Sequence, residues 1–178
     1  MKPFKSIVMS KQPVDQVWIT VQDRMPELAN LLDDVERITV VSRDTLSNGR
    51  LRLVNEWRAK PRLPISIESI IGTDAFIWLD HAEWNNSDRR CHWRIEPQFL
   101  AGRIHCHGVT HYESAMGGRG SRITFEGELG LEAGTIAGAG ALLERTVAPI
   151  VESIVTVMIP KNFRKIIEAA GRLIDQQS

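Results

Sequence analysis

Residues 74–114 read DAFIWLDHAEWNNSDRRCHWRIEPQFLAGRIHCHGVTHYES. This stretch decides the fold, because its apolar residues recur at alternate positions and its interruptions fall on turn formers. "DAFIWLDHAEW" (74–84), "RRCHWRIEPQF" (89–99) and "RIHCHGVTHYES" (103–114) alternate as half-buried strands do. The breaks "NNSD" and "LAG" carry the Asn, Asp and Gly that chain reversals require. Downstream, "SRITFEGELGLE" (121–132) continues the pattern after "AMGGRG". Upstream, "VERITVVSRDTL" (35–46) and "RLRLVNEWRAK" (50–60) flank Asn48-Gly49, a strong tight-turn signal. Residues 61–72 carry two prolines and read as a connection.

Towards both ends the period changes. Residues 4–11 form a first strand, and then Val14, Val17, Trp18 and Val21 fall at helical spacing behind Pro13. "MPELANLLDD" (25–34) is a second short helix with Leu28, Leu31 and Leu32 inward. From about Ala133 the period returns to 3.6. Val147, Val151, Ile154, Val155, Met158, Ile159, Phe163, Ile166, Ile167, Ala170 and Leu173 then form one stripe, with Pro149 and Pro160 bending a single long element. The expected class is α+β: a curved antiparallel sheet of about seven strands, wrapped around a long C-terminal helix, with two short helices after the first strand.

The opening "VMSKQPVDQVWITVQDRMPELANLLDDVERITVVSR" and the closing "IPKNFRKIIEAAGRLI" resemble the START-like, or SRPBCC, superfamily. That superfamily includes polyketide cyclases and dehydratases, lipid-transfer START domains and the major birch pollen allergen. The resemblance covers nearly the whole chain as a pattern. It implies a helix-grip fold with a cavity between sheet and helix for an apolar ligand, and a single START-like ligand-binding domain over residues 1–178. It brings no shared catalytic motif, and its functions range from pure binding to cyclisation.

Composition narrows the function. Lys and Arg together number 22, as do Asp and Glu, and this neutral balance lacks the electrostatic footprint of a nucleic-acid binder. "MKPFKSIVMSKQPVD" has no long apolar run, so no signal peptide is expected. No run of about 18 apolar residues suggests a membrane span. Transient membrane contact by the Gly/Ala-rich stretch 133–149 is the weaker alternative to its packing on the sheet. Two cysteines, Cys91 and Cys106, are expected as free thiols in a reducing cytoplasm.

Strand parity sorts the chemistry onto two faces. A two-residue turn at Ala101-Gly102 would pair Pro97 with Cys106 and Trp93 with Thr110; the neighbouring hairpins would pair Asp80 with Trp93 and Thr110 with Phe125. All five histidines then lie on the outer face, His107 between Glu96 and Glu128, and His81, His92 and His111 in a row. Strands about 4.8 Å apart do not easily bring such a row to one tetrahedral ion, so a solvated ladder is expected rather than a metal site. The inner face holds Trp57, Trp78, Trp84 and Trp93 together with Asn55, Asp80 and Thr110. A plain aromatic core is the bland reading of these tryptophans, and Asp80 could simply satisfy a neighbouring N–H.

The leading expectation is a soluble carrier or sensor for a small hydrophobic molecule, lipid or polyketide-like, without cofactor or metal. Its ligand-binding residues are Asn55, Trp57, Trp78, Asp80, Trp93, Thr110 and Phe125, lidded by Ile150, Ile154 and Met158. One rival is a cyclase/dehydratase-type enzyme using Asp80 as acid or base; no paired acid and base is evident, so no catalytic set is assigned. Another is an interaction module using the outer face.

Overall fold

The computed structural model describes residues 1–60, 76–98, 101–132 and 159–177. Ile150, Ile154 and Met158, the connection 61–72 and the stretch 133–149 lie outside them.

Seven antiparallel strands form one curved sheet in the order β1-β7-β6-β5-β4-β3-β2. The strands are β1 (Lys2–Ser10), β2 (Val35–Thr45), β3 (Leu51–Ala59), β4 (Ile77–Asn85), β5 (Arg90–Pro97), β6 (Ile104–Ala115) and β7 (Gly120–Leu131). Helices α1 (Val14–Asp23) and α2 (Met25–Ala29) carry the chain from β1 at one edge to β2 at the other, and α3 (Ile159–Asp175) packs against α1, α2 and β1. This is the helix-grip arrangement.

The helices follow their apolar spacing. Val17, Trp18 and Val21 of α1 are buried, and Trp18 packs edge-on against Trp84 and Tyr112, with centroids 4.9 and 5.0 Å away. Its indole N–H donates to Asn86 Oδ1 at 2.9 Å. α2 stops at Ala29, earlier than expected. The amides of Leu31 and Leu32 bond three residues back, to Leu28 and Ala29, and these tighter turns tuck Leu32 into the core before β2 begins at Val35. On α3, Phe163, Ile166, Ile167, Ala170 and Ile174 are buried. Lys165 pairs with Asp34, and the Arg172 guanidinium donates to the Leu31 carbonyl at 3.2 Å. Both contacts tie α3 to the segment between α2 and β2.

Two hairpins are shifted by two residues from their expected register. Asp80 pairs with Ile95 rather than Trp93, and Cys106 pairs with Ile95 rather than Pro97. In the first case the turn is wider. Asn85 Oδ1 accepts from the Ser87 amide and hydroxyl, Asp88 Oδ1 accepts from the Arg90 amide, and Arg89 takes a φ of 51°, so Asn86–Arg89 form a four-residue loop. In the second, the last pair is Ile95 with Cys106, so the ladder reverses one residue earlier than a tight Ala101-Gly102 turn would place it. A shift of two keeps every side chain on its own face. The β6–β7 register, Thr110 with Phe125 and Gly108 with Gly127, is as expected.

The paired glycines have a packing role. A Cβ on Gly108 would come 2.5 Å from the Trp93 ring, and one on Gly127 would come 2.6 Å from it. The indole of Trp93 therefore lies across a shelf two strands wide. From there it stacks on Phe125 at 4.6 Å and reaches Phe4 of β1 at 6.0 Å. Phe125 stacks in turn on Phe163 of α3 at 4.4 Å.

Gly127→Ala should therefore destabilise the protein by about 1–3 kcal/mol, the usual cost of overpacking. Gly171→Ala, in α3 with open space around its Cβ, should be neutral or stabilising by about 0.5–1 kcal/mol. Urea unfolding followed by circular dichroism measures both. Equal effects from the two variants would contradict the shelf.

Candidate functional site

The inner face of the sheet and the underside of the helices enclose a pocket of about 90 Å³. Six of the residues expected at the site line it: Trp57, Trp78, Asp80, Trp93, Thr110 and Phe125. Asn55 does not line it. It lies fully buried beside Asp80, its direct partner across the β3–β4 ladder. The helices contribute residues that strand parity could not reveal, namely Val21 of α1, Met25 of α2, and Ile159, Asn162, Phe163 and Ile166 of α3. Asn162 is the polar member of that set; it occupies a position on the apolar side of α3, and a lone Asn among Ile and Phe at helical spacing was the available signal.

Aromatic rings form the walls. Trp57 and Trp78 face each other across β3 and β4 and stack at 5.6 Å with planes 17° apart. Trp93, Phe125 and Phe163 form the continuous stack already described, and Trp84 and Tyr112 close the side below α1. The lining is overwhelmingly apolar.

Among the described residues Asp80 is the one carboxyl in that lining. Burial lifts its carboxyl from the ordinary 3.8 to about 6; a hydrogen bond from the Asn55 amide and the nearby Trp57 indole N–H pull the other way. Asn55 exerts the larger of the two pulls, and the buried Trp57 Nε1 completes no hydrogen bond among the described residues. The Asn55 Oδ1 is buried without a partner among the described residues. Burial also raises the other titratable groups here, with Asp80 adding a smaller push. Cys106, behind the wall, rises to about 12, and Cys91 and Tyr112 move well above their usual values, so all three are neutral near pH 7. Both cysteines are buried free thiols.

The histidines lie on the outer face, each of the following beside a carboxylate: His81 with Glu96 at 3.1 Å, His105 with Glu132 at 2.9 Å and His111 with Glu126 at 3.4 Å. The two-residue shifts change two expected neighbours. His107 sits between Arg94 and Glu128 instead of between Glu96 and Glu128. His92 pairs with Val109 and His111 with Arg90, so the expected row of His81, His92 and His111 does not form. Glu96 is held below the usual carboxylate range chiefly by its hydrogen bond from Arg94. Among the described residues no group of three His, Cys, Asp or Glu side chains is placed to hold a metal ion. No helix among them is long and apolar enough to cross a membrane.

A curved seven-stranded sheet gripping a C-terminal helix, with a pocket between them, is the START-like fold. Solved structures of this architecture are similar to the chain along nearly its full length. The protein TTHA0849 from Thermus thermophilus superposes with a TM-score of 0.66 at 15% identity, covering 99% of each chain. The Zhui aromatase/cyclase from Streptomyces sp. R1128 gives 0.67 at 13% identity, covering 97% of this chain and 95% of its own. A point mutant of norcoclaurine synthase from Thalictrum flavum, in complex with a transition-state analogue, gives 0.64 at 12% identity, covering 99% and 96%. At these identities the likeness is one of fold. No protein-family model matches the sequence, and no curated protein sequence is similar to it.

Asp80 makes stability depend on pH with a definite sign. Its folded-state pKa exceeds the unfolded one, so the folded protein holds the extra proton between them. Stability from this group is full below about pH 3.8 and is lost as pH rises through about 6. A shift from 3.8 to about 6 corresponds to a loss on the order of 3 kcal/mol. Asp80→Asn should remove that slope, so its stability relative to the wild type should climb between pH 4 and 6 and then level off. Paired urea titrations across that range measure the difference. A constant difference would show that Asp80 is not desolvated.

Proposed function

We propose that the chain is a single START-like domain over residues 1–178 that binds a small hydrophobic molecule in the pocket between sheet and helix. The observation that carries this reading is the pairing of an aromatic lining with a buried carboxyl, Asp80 backed by Asn55, and a few further polar groups. Small-molecule sites are mostly apolar, with few orienting polar groups. A core built only for stability gains nothing from a carboxyl that burial disfavours. Trp57, Trp78, Trp93, Thr110 and Phe125 contact the ligand's body in this reading, and Ile150, Ile154 and Met158 cover it. The pocket volume of about 90 Å³ favours a compact ligand near the size of one ring, since a drug-sized pocket spans roughly 300–1,000 Å³. Lipid or polyketide-like ligands of greater length need the walls to open. The two buried thiols suit a reducing compartment such as the cytoplasm.

A second reading, a cyclase/dehydratase-type enzyme, is favoured by one specific observation. A carboxyl raised to about 6 can give or take a proton near neutrality. Asp80 would be the acid or base, with Thr110 or Tyr112 in the same pocket as polar company.

Tryptophan emission and thermal melting, followed while fatty acids and flat polycyclic or single-ring compounds are added, test the binding reading. The expected result is quenching or a spectral shift together with a raised melting temperature, the emission response reduced in Trp78→Ala. A panel leaving both signals unchanged would sink it. Turnover of an enolisable substrate that disappears in Asp80→Asn would move the enzyme reading to first place.

A further inference from the structure

Resting on that binding reading, we infer that the ligand carries a protonated amine, seated on the Asp80 carboxylate between the aromatic walls. The charge left over at the site points that way. Asp80 lines the pocket, and among the described residues the lining contains no Lys, Arg or His. Its titratable companions in the pocket, Cys91 and Tyr112, are neutral when Asp80 ionises. The helices facing it contribute Val21, Met25, Ile159, Asn162, Phe163 and Ile166, all uncharged.

A carboxylate offers about four lone-pair sites, and the Asn55 amide occupies one. A neutral hydroxyl could satisfy another but would leave the charge buried. A cation removes it, because a buried charge is tolerated when it is paired and hydrogen-bonded. The walls suit the same chemistry. Trp57 and Trp78 belong to the pocket beside Asp80 and stack on each other, and indole is the best of the aromatic faces for a cation. A carboxylate with an aromatic enclosure recognises an ammonium group on an apolar or aromatic body. It does not suit an acid, whose own carboxylate would meet Asp80.

Three compounds of nearly equal shape separate the possibilities: phenethylamine, phenethyl alcohol and propylbenzene. Their binding to the wild type and to Asp80→Asn is measured at pH 7.5 by calorimetry and tryptophan emission. The amine should bind at least about tenfold more tightly than the alcohol to the wild type, and that preference should vanish or reverse in the variant. Equal or tighter binding of the alcohol or the hydrocarbon to the wild type overturns the amine while leaving the pocket reading intact. An amine preference that persists in Asp80→Asn also overturns it. Silence from all three overturns it as well, and the fatty-acid and polycyclic panel then decides whether the pocket reading falls too. The comparison within the wild type stands even if the variant fails to fold.

Discussion

Much of this structure hangs on one large side chain lying over two absent ones. Trp93 of β5 reaches across β6 and β7 because Gly108 and Gly127, paired in adjacent strands, leave its indole room. That reach links an inner strand to Phe4 at the sheet edge and, through Phe125, to Phe163 of α3. Sheet and helix are thus joined by stacked rings as well as by the aliphatic packing of Ile166, Ile167, Ala170 and Ile174. Aromatic pairs contribute about 0.5–1.5 kcal/mol beyond their buried area and constrain ring orientation. The stack holds α3 on one side of the inner face, and the pocket lies alongside it.

Into that apolar space the described residues place one acid. Asp80 is placed there by strand parity: its neighbours Leu79 and His81 point the other way, and Asn55 meets it directly across the ladder. The Asn55 bond recovers part of the cost of burial, but the carboxyl still sits well above its ordinary range. The outer face shows the opposite arrangement. There Glu96 and Glu126 have cationic partners and water, and their pKa values fall. Exposed pairs of this kind contribute little to stability. The face that binds solvent is well compensated, and the face that encloses the pocket keeps an uncompensated group.

The fold was legible in the sequence because its strongest signals are periods. Seven strands and the face of each inner residue followed from alternation between Asn/Gly-rich breaks. Both register errors came from turns: the side chains of Asn85 and Asp88 build a wider loop than their neighbours suggested, and the reversal before Ile104 is centred one residue early. Since both shifts were even, the tryptophans and Asp80 stayed inside; the cross-strand neighbours changed on both faces, as Asp80 with Ile95 and His107 with Arg94 show, but no side chain changed face. The roles of Val21, Met25 and Asn162 were not legible in the same way. Which turn of a helix faces which strand is a tertiary fact, set here by contacts such as Lys165 with Asp34. The separation of Asn55 from the pocket lining likewise depends on depth, which period alone does not encode.

The irregularities of β2 bear on how the molecule tolerates company. Among the described residues β2 is an outer strand, paired on one side only, and it displays Val40 and Val41 to solvent. The open edge of an 11-residue strand is a ready template for another chain. Its ladder, however, slips between Val35 and Arg37 and again between Val40 and Ser42. Each slip changes the local twist and the spacing of the free amides and carbonyls. An incoming extended segment would meet a few matched groups and then fall out of step. The same kinks that help bend the sheet around its helix therefore leave the valine step poorly suited to seed fibrils.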